Sequence, residues 1–580
     1  MPTIIPVDEF VSADWYPGFK PEYLSAPFYF EAPRPFRKED EKRFWFVDFH
    51  WPSGFCPLGT VYLEDCYAWG TQFAAASLPL PPGNGLVPRL AGIHAYGSEA
   101  IGPSPYEIQQ RAMRIAKTLP PFLKNFPQIW ADCVEELESG SRYFEAYDTN
   151  GKTLVELGQF LIDARSFHKR AWEIHFGIMY PLLANYLGFY GLCGELKIAP
   201  GEIAKFLQGY DTKMMECDRV LWQLAKAARG TPVGAKIASV PVERLEQSLR
   251  TDPASAGWVK QFDAMIATYG MRTEGIADPM LAPWSENAVP ALGSIKSFLA
   301  KGKDFDFDAS AAASAEERQT AVDRARGRLT RSEQEAFDGA LASCQQANFP
   351  WWNEDHNYYI DLRATVPLRK AALAIGAALE TERPDDCLFS FHAELAAVAR
   401  GDLAWSAVRQ TCRDRRDYYN HWLARRGKMP KVLGTVPDEV MDPVMIEIFG
   451  IHHHFLSAVR GDGARTTELT GVAASAGRSR GVARVLHDAA NLHLVEPGEI
   501  LICEGTTPSW TPAFTKIAGC VCDGGGTLTH ASIISREYRV PCVVGVGVGT
   551  TVVKTGDVIE VDGDTGTVRI ISSVAPLAAE

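Results

Sequence analysis

Residues 519–548 constrain the fold most tightly. A β-branched run (GCVCD), three consecutive glycines, a short helical stretch (ASIISREY) and a second β-branched run (VPCVVGV) follow one another directly. That order predicts a strand, a loop, a helix and another strand of an α/β unit, with one histidine, His530, delivered to the start of the helix. Gly524, Gly525 and Gly526 let the backbone approach an anion without Cβ interference, and the free N–H groups and dipole of the next helical turn favour negative charge there. Thr529 and Ser532 add hydroxyl donors. A neutral imidazole is a nucleophile near pH 7, so His530 is a candidate to attack a phosphate and hold it as a phosphohistidine. The plainer reading is a glycine turn before an ordinary helix, with His530 as a capping residue.

Neighbouring segments extend the pattern. GVARVL, EILICE and DVIEVDG are further short β-branched runs, and WTPAFTKIAG is a further helical stretch. From Gly471, Ser475, Gly477 and Gly481 through the His530 loop to Val561-Asp562-Gly563, residues 471 to 571 resemble the swivelling phosphohistidine domain of the phosphoenolpyruvate-utilising enzymes. This family includes pyruvate phosphate dikinase, phosphoenolpyruvate synthase and rifampicin phosphotransferase. The resemblance implies that His530 is the phosphorylated residue. Gly525, Gly526, Thr529, Ser532 and Arg536 complete the expected catalytic set, Arg536 serving either as a phosphate ligand or in an internal salt bridge.

Composition bounds the remainder. A chain of 580 residues with 46% hydrophobic content is long enough for several globular units. A formal charge of −13 argues against a nucleic-acid partner. The N-terminus lacks a basic region followed by an apolar one, and nowhere do 18 consecutive apolar residues occur, so a soluble, cytoplasmic protein without membrane contact is expected. Cys520 and Cys522 fall on one face of a strand and read as reduced core residues. His452-His453-His454 cannot all face one ion from a regular element and reads as a polar helix end; no metal ligands are assigned.

The chain before residue 460 has a different texture. Residues 1–110 are rich in Pro, Trp, Tyr and Phe, suggesting extended segments and turns packed with aromatics. From Tyr106 to Phe455 apolar residues recur at helical spacing, and Ser314-Ala315-Glu316-Glu317 reads as a capping box opening a helix. The expected architecture is multidomain, a mainly α-helical N-terminal substrate region plus a C-terminal α/β swivelling phosphohistidine domain. Residues 1–110 form the aromatic part of the substrate domain, 111–457 its helical part, 458–470 a hinge linker around Arg460-Gly461-Asp462-Gly463, and 471–575 the phosphohistidine domain.

Within the helical part, Tyr269-Gly270-Met271-Arg272-Thr273-Glu274 and Pro283-Trp284-Ser285-Glu286 resemble the substrate-binding region of rifampicin phosphotransferase. Met271 stands where histidine is usual, which weakens a base role there. Trp351 to Asp361, which contains His356 and Asn357, resembles a helix in the large subunits of phenylphosphate synthase-type aryl dikinases. In those two-subunit enzymes a separate chain binds ATP. The resemblance implies an ATP-grasp-type partner using ATP and Mg²⁺ to load His530, followed by delivery to a phenol, with AMP and phosphate as the other products. His356 is the candidate base, Arg272 the candidate phosphoryl clamp, and Glu274 or Asp361 the orienting carboxylate. Buried pairs of these residue types also simply knit helices together. His175, on a strongly periodic helix, is an acceptor-site group or a core histidine. The alternatives are a non-phenolic acceptor such as an antibiotic, and a phosphocarrier or regulatory module without its own acceptor.

Overall fold

The change of periodicity in the sequence becomes a change of architecture in the backbone. The computed structural model describes residues 3–12, 15–24, 33–50, 54–72, 83–300, 306–461, 467–487 and 489–574. Inter-residue contacts divide the chain into two discontinuous units. One comprises residues 1–184, 275–281 and 359–437; the other comprises 185–274, 282–358 and 438–580.

In the first unit the aromatic N-terminal residues build a six-stranded sheet. Its strands are β1 (Ile4–Ile5), β2 (Arg34–Pro35), β3 (Phe44–Val47), β4 (Leu86–Ala91), β5 (His94–Glu99) and β6 (Val432–Thr435), in the order β1-β6-β3-β5-β4-β2. Phe36, Trp45, Val87, Tyr96 and Leu433 fill its core. The β4–β5 turn needs glycine: Gly92 has φ +59°, and a Cβ there would lie 2.0 Å from the Trp422 ring. Two long helices follow, α1 (Pro105–Ala146) and α2 (Leu154–Glu195), the second continuing into the other unit. Ser104 caps α1 by accepting from the Glu107 N–H at 3.3 Å, and Pro105 occupies the first turn, where its missing donor costs nothing.

The second unit begins as helices, among them α3 (Lys213–Ala228), α4 (Phe307–Arg326) and α5 (Phe349–His356). The expected helix start at Ser314 is wrong by two turns. Asp306 caps α4 through the Ala309 N–H at 3.0 Å, leaving Ser314 buried inside the helix. The capping box of this region is Thr330 with Glu333. His452 caps a short helix, His453–Arg460, by accepting from the His454 N–H at 3.3 Å. Of the expected hinge, Arg460 and Gly461 are described; Asp462 and Gly463 lie outside the described residues.

The α/β part of this unit is an eight-stranded sheet, with β7 (Glu468–Thr470), β8 (Val472–Ser475), β9 (Arg478–Val485), β10 (Ile500–Cys503), β11 (Gly519–Cys522), β12 (Cys542–Val544), β13 (Val558–Asp562) and β14 (Thr567–Ser572). Its order is β7-β14-β13-β9-β10-β11-β12-β8, and β9 through β12 run parallel. These central strands are covered on both faces, which is why they read as unbroken apolar runs. Leu501, Cys503, Cys520, Cys522 and Cys542 face Trp510, Phe514 and the His530-bearing helix α6 (His530–Tyr538). Ile500, Ile502, Val521 and Val543 face the opposite side with Ile559 and Val568. All 12 cysteines are free thiols; Cys503 and Cys522 pack with sulfurs 3.5 Å apart. No described helix is long and apolar enough to cross a membrane.

Candidate active site

His530 sits where parallel α/β topology concentrates ligand-facing groups. Loops leaving the carboxyl ends of adjacent strands β10 and β11 converge, and α6 begins there. The β11 loop contributes His530, and the β10 loop contributes Thr506 and Thr511. Thr506 Oγ1 lies 2.9 Å from His530 Nδ1, Thr511 Oγ1 lies 3.3 Å from Nε2, and the Phe514 ring stands edge-on at 6.3 Å. From the helical part of the same unit, α5 packs on α6 and brings Glu354, whose Oε2 is 3.8 Å from Nε2.

These contacts assign the tautomer. Thr511 donates its one hydroxyl proton to the Pro508 carbonyl at 2.8 Å, so toward the ring its oxygen only accepts. Nε2 therefore carries the ring proton, facing Thr511 and Glu354, and Nδ1 accepts from the Thr506 hydroxyl. Burial pushes the His530 pKa down to about 3, so the ring is neutral throughout the physiological range. Its exposure is only 6%. The covering comes from the packing of α5 on α6, which linear sequence does not disclose.

The remaining residues expected beside His530 hold its loop in place. Gly525 adopts φ +96°, and a Cβ on Gly526 would lie 2.5 Å from the Ile446 and Glu447 carbonyls, so both positions require glycine. Their purpose is close packing, because the Gly524 and Gly525 N–H groups donate to the carbonyls of Glu504 (2.8 Å) and Phe449 (3.0 Å). Thr529 and Ser532 turn their hydroxyls to the Gly526 carbonyl, at 2.9 and 2.7 Å, and hold the loop shut. Arg536 donates to the Ala474 and Thr527 carbonyls, both at 3.0 Å. Thr527 in turn donates to Glu447 at 2.6 Å.

The expected acceptor residues are divided between the units. His175 and Asp361 belong to the first; Arg272, Glu274, His356 and Asn357 belong to the second. The His175 ring packs on Trp172 and Phe176, and the Asp361 carbonyl accepts from the Ala277 N–H at 2.8 Å. His356 is buried, stacked on Trp352 with ring centroids 4.3 Å apart, and its Nδ1 donates to the Trp352 carbonyl at 3.0 Å. Asn357 is buried immediately after α5.

Arg272 and Glu274 form a cluster around Trp284. The guanidinium lies 4.3 Å from the ring centroid and donates toward the Met214 and Cys217 sulfurs, while Glu274 accepts from the indole N–H. Burial raises the Glu274 carboxyl. Burial also pushes neighbouring Asp218 up to about 7, with Arg272 opposing and Glu274 reinforcing the shift.

Sequence reasoning missed Thr506, Thr511 and Glu354. The usable signal for the threonines was their position after a predicted strand adjacent in order to the one preceding His530. Glu354 carried none.

Two family models match parts of this chain. Residues 495–566, which include Thr506, Thr511 and His530, match the PEP-utilising enzyme mobile domain. Residues 174–349 match the rifampicin phosphotransferase fourth domain. Among similar proteins, chondramide synthase cmdD of Chondromyces crocatus is 29% identical over 559 residues, 92% of this chain and 14% of that protein. The uncharacterized phosphotransferase YvkC of Bacillus subtilis is 26% identical over 70% of this chain and 48% of its own length. A rifampicin phosphotransferase of a Streptomyces species is 30% identical over 63% of this chain and 41% of its own length. The chain thus spans less than half the length of each of these relatives, and its likeness to them joins a phosphohistidine-type mobile domain to a rifampicin phosphotransferase-like helical domain.

Proposed function

We propose that this chain carries a phosphoryl group on His530 Nε2 and delivers it to a hydroxyl of an organic acceptor. The observation that carries the reading is a neutral imidazole at the head of α6, its Nδ1 held by Thr506 and its Nε2 turned toward the helical part of the same unit. Loss of the Nε2 proton frees at that nitrogen the lone pair that nucleophilic phosphoryl transfer requires. An ATP-binding partner using Mg²⁺ loads it. Because α5 covers the ring in the arrangement described, loading requires α6 to leave α5, in keeping with a mobile domain. The resemblance of residues 174–349 to a rifampicin phosphotransferase domain favours a non-phenolic, antibiotic-like acceptor over a simple phenol.

The test is acid-labile labelling. Incubated with phosphoramidate, a small-molecule phosphoryl donor to histidine, or with ATP, Mg²⁺ and a candidate partner, the wild-type chain takes up acid-labile phosphate and His530→Ala takes up none. Equal labelling of the variant removes His530 as the carrier.

A further inference from the structure

We infer that Glu354 is a catalytic proton relay, and that the cleft beside it admits an uncharged hydroxyl compound to the phosphoryl group on His530; the inference rests on the phosphohistidine reading above. Glu354 is 3% exposed, yet it takes part in two surroundings at once. Its Oε2 stands 3.8 Å from His530 Nε2, and it also lines a cleft with Tyr210, Thr212, Met215, Trp351 and Ile533. Glu354 is thus the residue that both faces the ring and borders the cleft.

The assigned tautomer says what the carboxylate does. With Nε2 protonated and Nδ1 accepting from Thr506, the unloaded ring is in the state left by a completed transfer. A gap of 3.8 Å holds no phosphoryl group between Nε2 and the carboxylate, and like charges repel. A loaded ring therefore displaces Glu354 toward the cleft that it already lines. There it accepts the proton of the acceptor as the O–H bond breaks. The acceptor oxygen forms its bond to phosphorus, the P–Nε2 bond breaks, and its electron pair returns to the imidazole. Glu354 then passes the same proton to Nε2, restoring the tautomer observed. Atoms and charge balance with no further reagent.

The walls define the acceptor. Tyr210, Met215, Trp351 and Ile533 offer apolar and aromatic surface to a ring or hydrocarbon body. Glu354 and Glu537 disfavour an anion, and the guanidinium of Arg536 is committed to the Ala474 and Thr527 carbonyls.

The experiment uses the full chain loaded with phosphoramidate and then mixed with cyclohexanol, phenol or water alone. Loss of phosphohistidine is followed against pH. In Glu354→Gln the ratio of discharge rate to loading rate falls by about 10²- to 10⁴-fold, the usual worth of a positioned proton-transfer group, and the acid limb of the discharge profile disappears. Glu354→Asp recovers part of the rate and keeps the limb. Trp351→Ala raises the KM for cyclohexanol or phenol, whichever the wild type uses. Should Glu354→Gln fail to fold by its melting curve, the comparison passes to Glu354→Asp, whose shortened carboxylate lowers discharge at least tenfold. Discharge at the wild-type rate in the folded variant, to water if neither alcohol is used, overturns the relay while leaving His530 as carrier. Labelling that survives His530→Ala overturns the function itself.

Discussion

Two buried polar clusters in the second unit show how differently one protein can treat an ionisable group. Around His530 three hydroxyl or carboxylate groups meet a ring that burial keeps neutral, with its pKa pushed down to about 3. Around Trp284, Arg272 stacks on the indole, Glu274 accepts from the indole N–H, and the Glu274 and Asp218 carboxyls act on the guanidinium through space. The first arrangement leaves the protonated Nε2 facing a carboxylate. The second packs its members around an indole as a buried knot, with the Arg272 Nε lacking a hydrogen-bond partner, although its residue types looked catalytic in the sequence. Perturbed ionisation marks both, so geometry has to separate them.

The sharpest way to break the comparison is Arg272→Ala. Removing the guanidinium leaves Glu274 and Asp218 buried without their counter-charge, so stability drops by about 3–5 kcal/mol in urea denaturation. His530 still labels in the folded fraction. Loss of labelling without loss of stability would move Arg272 from knot to active site.

The pH dependence of stability separates the clusters by sign. His530 has its folded pKa lowered to about 3 from 6.5, so the unfolded chain binds the extra proton between those values. Its contribution is complete above pH 6.5 and is lost as pH falls, by about 1.4 kcal/mol per pH unit. Asp218 has its folded pKa raised from 3.8 to about 7, so the native chain binds the extra proton and stability is lost as pH rises through that window. The two slopes oppose each other in the wild type. Urea midpoints measured from pH 4 to 7 should tilt downward with rising pH in His530→Asn relative to wild type, and upward in Asp218→Asn.

The smallest effect is expected at Ser532→Ala. That change removes a 2.7 Å hydrogen bond to the Gly526 carbonyl and costs about 1 kcal/mol, read from the urea midpoint. Labelling of His530 persists. A larger loss of labelling than of stability would return Ser532 to the phosphate site.

Much of the C-terminal architecture was legible because local rules dominate there. Short unbroken apolar and β-branched runs marked β10 through β12, the glycines marked a tight loop, and His530 followed at the helix start. The N-terminal sheet was hidden. Three of its strands have four residues or more in the N-terminal segment, but β1 and β2 have only two each, and β6 comes from residue 432 onward. At Ser314 the capping signature was misleading because Asp306 had already opened the helix and burial of the serine overrode its local preference.

The sequence by itself determined the candidate histidine, its loop and its helix, because those depend on neighbours within a few residues and on glycine's tolerance for positive φ and close contact. Only the tertiary structure decided that Thr506, Thr511 and Glu354 meet the ring, that the ring is covered, and that Arg272 and Glu274 belong to a packed knot. Glu354 stands 176 positions before His530, and pairings over such separations are set by how helices and sheet pack together, for which a single chain of letters holds no distance.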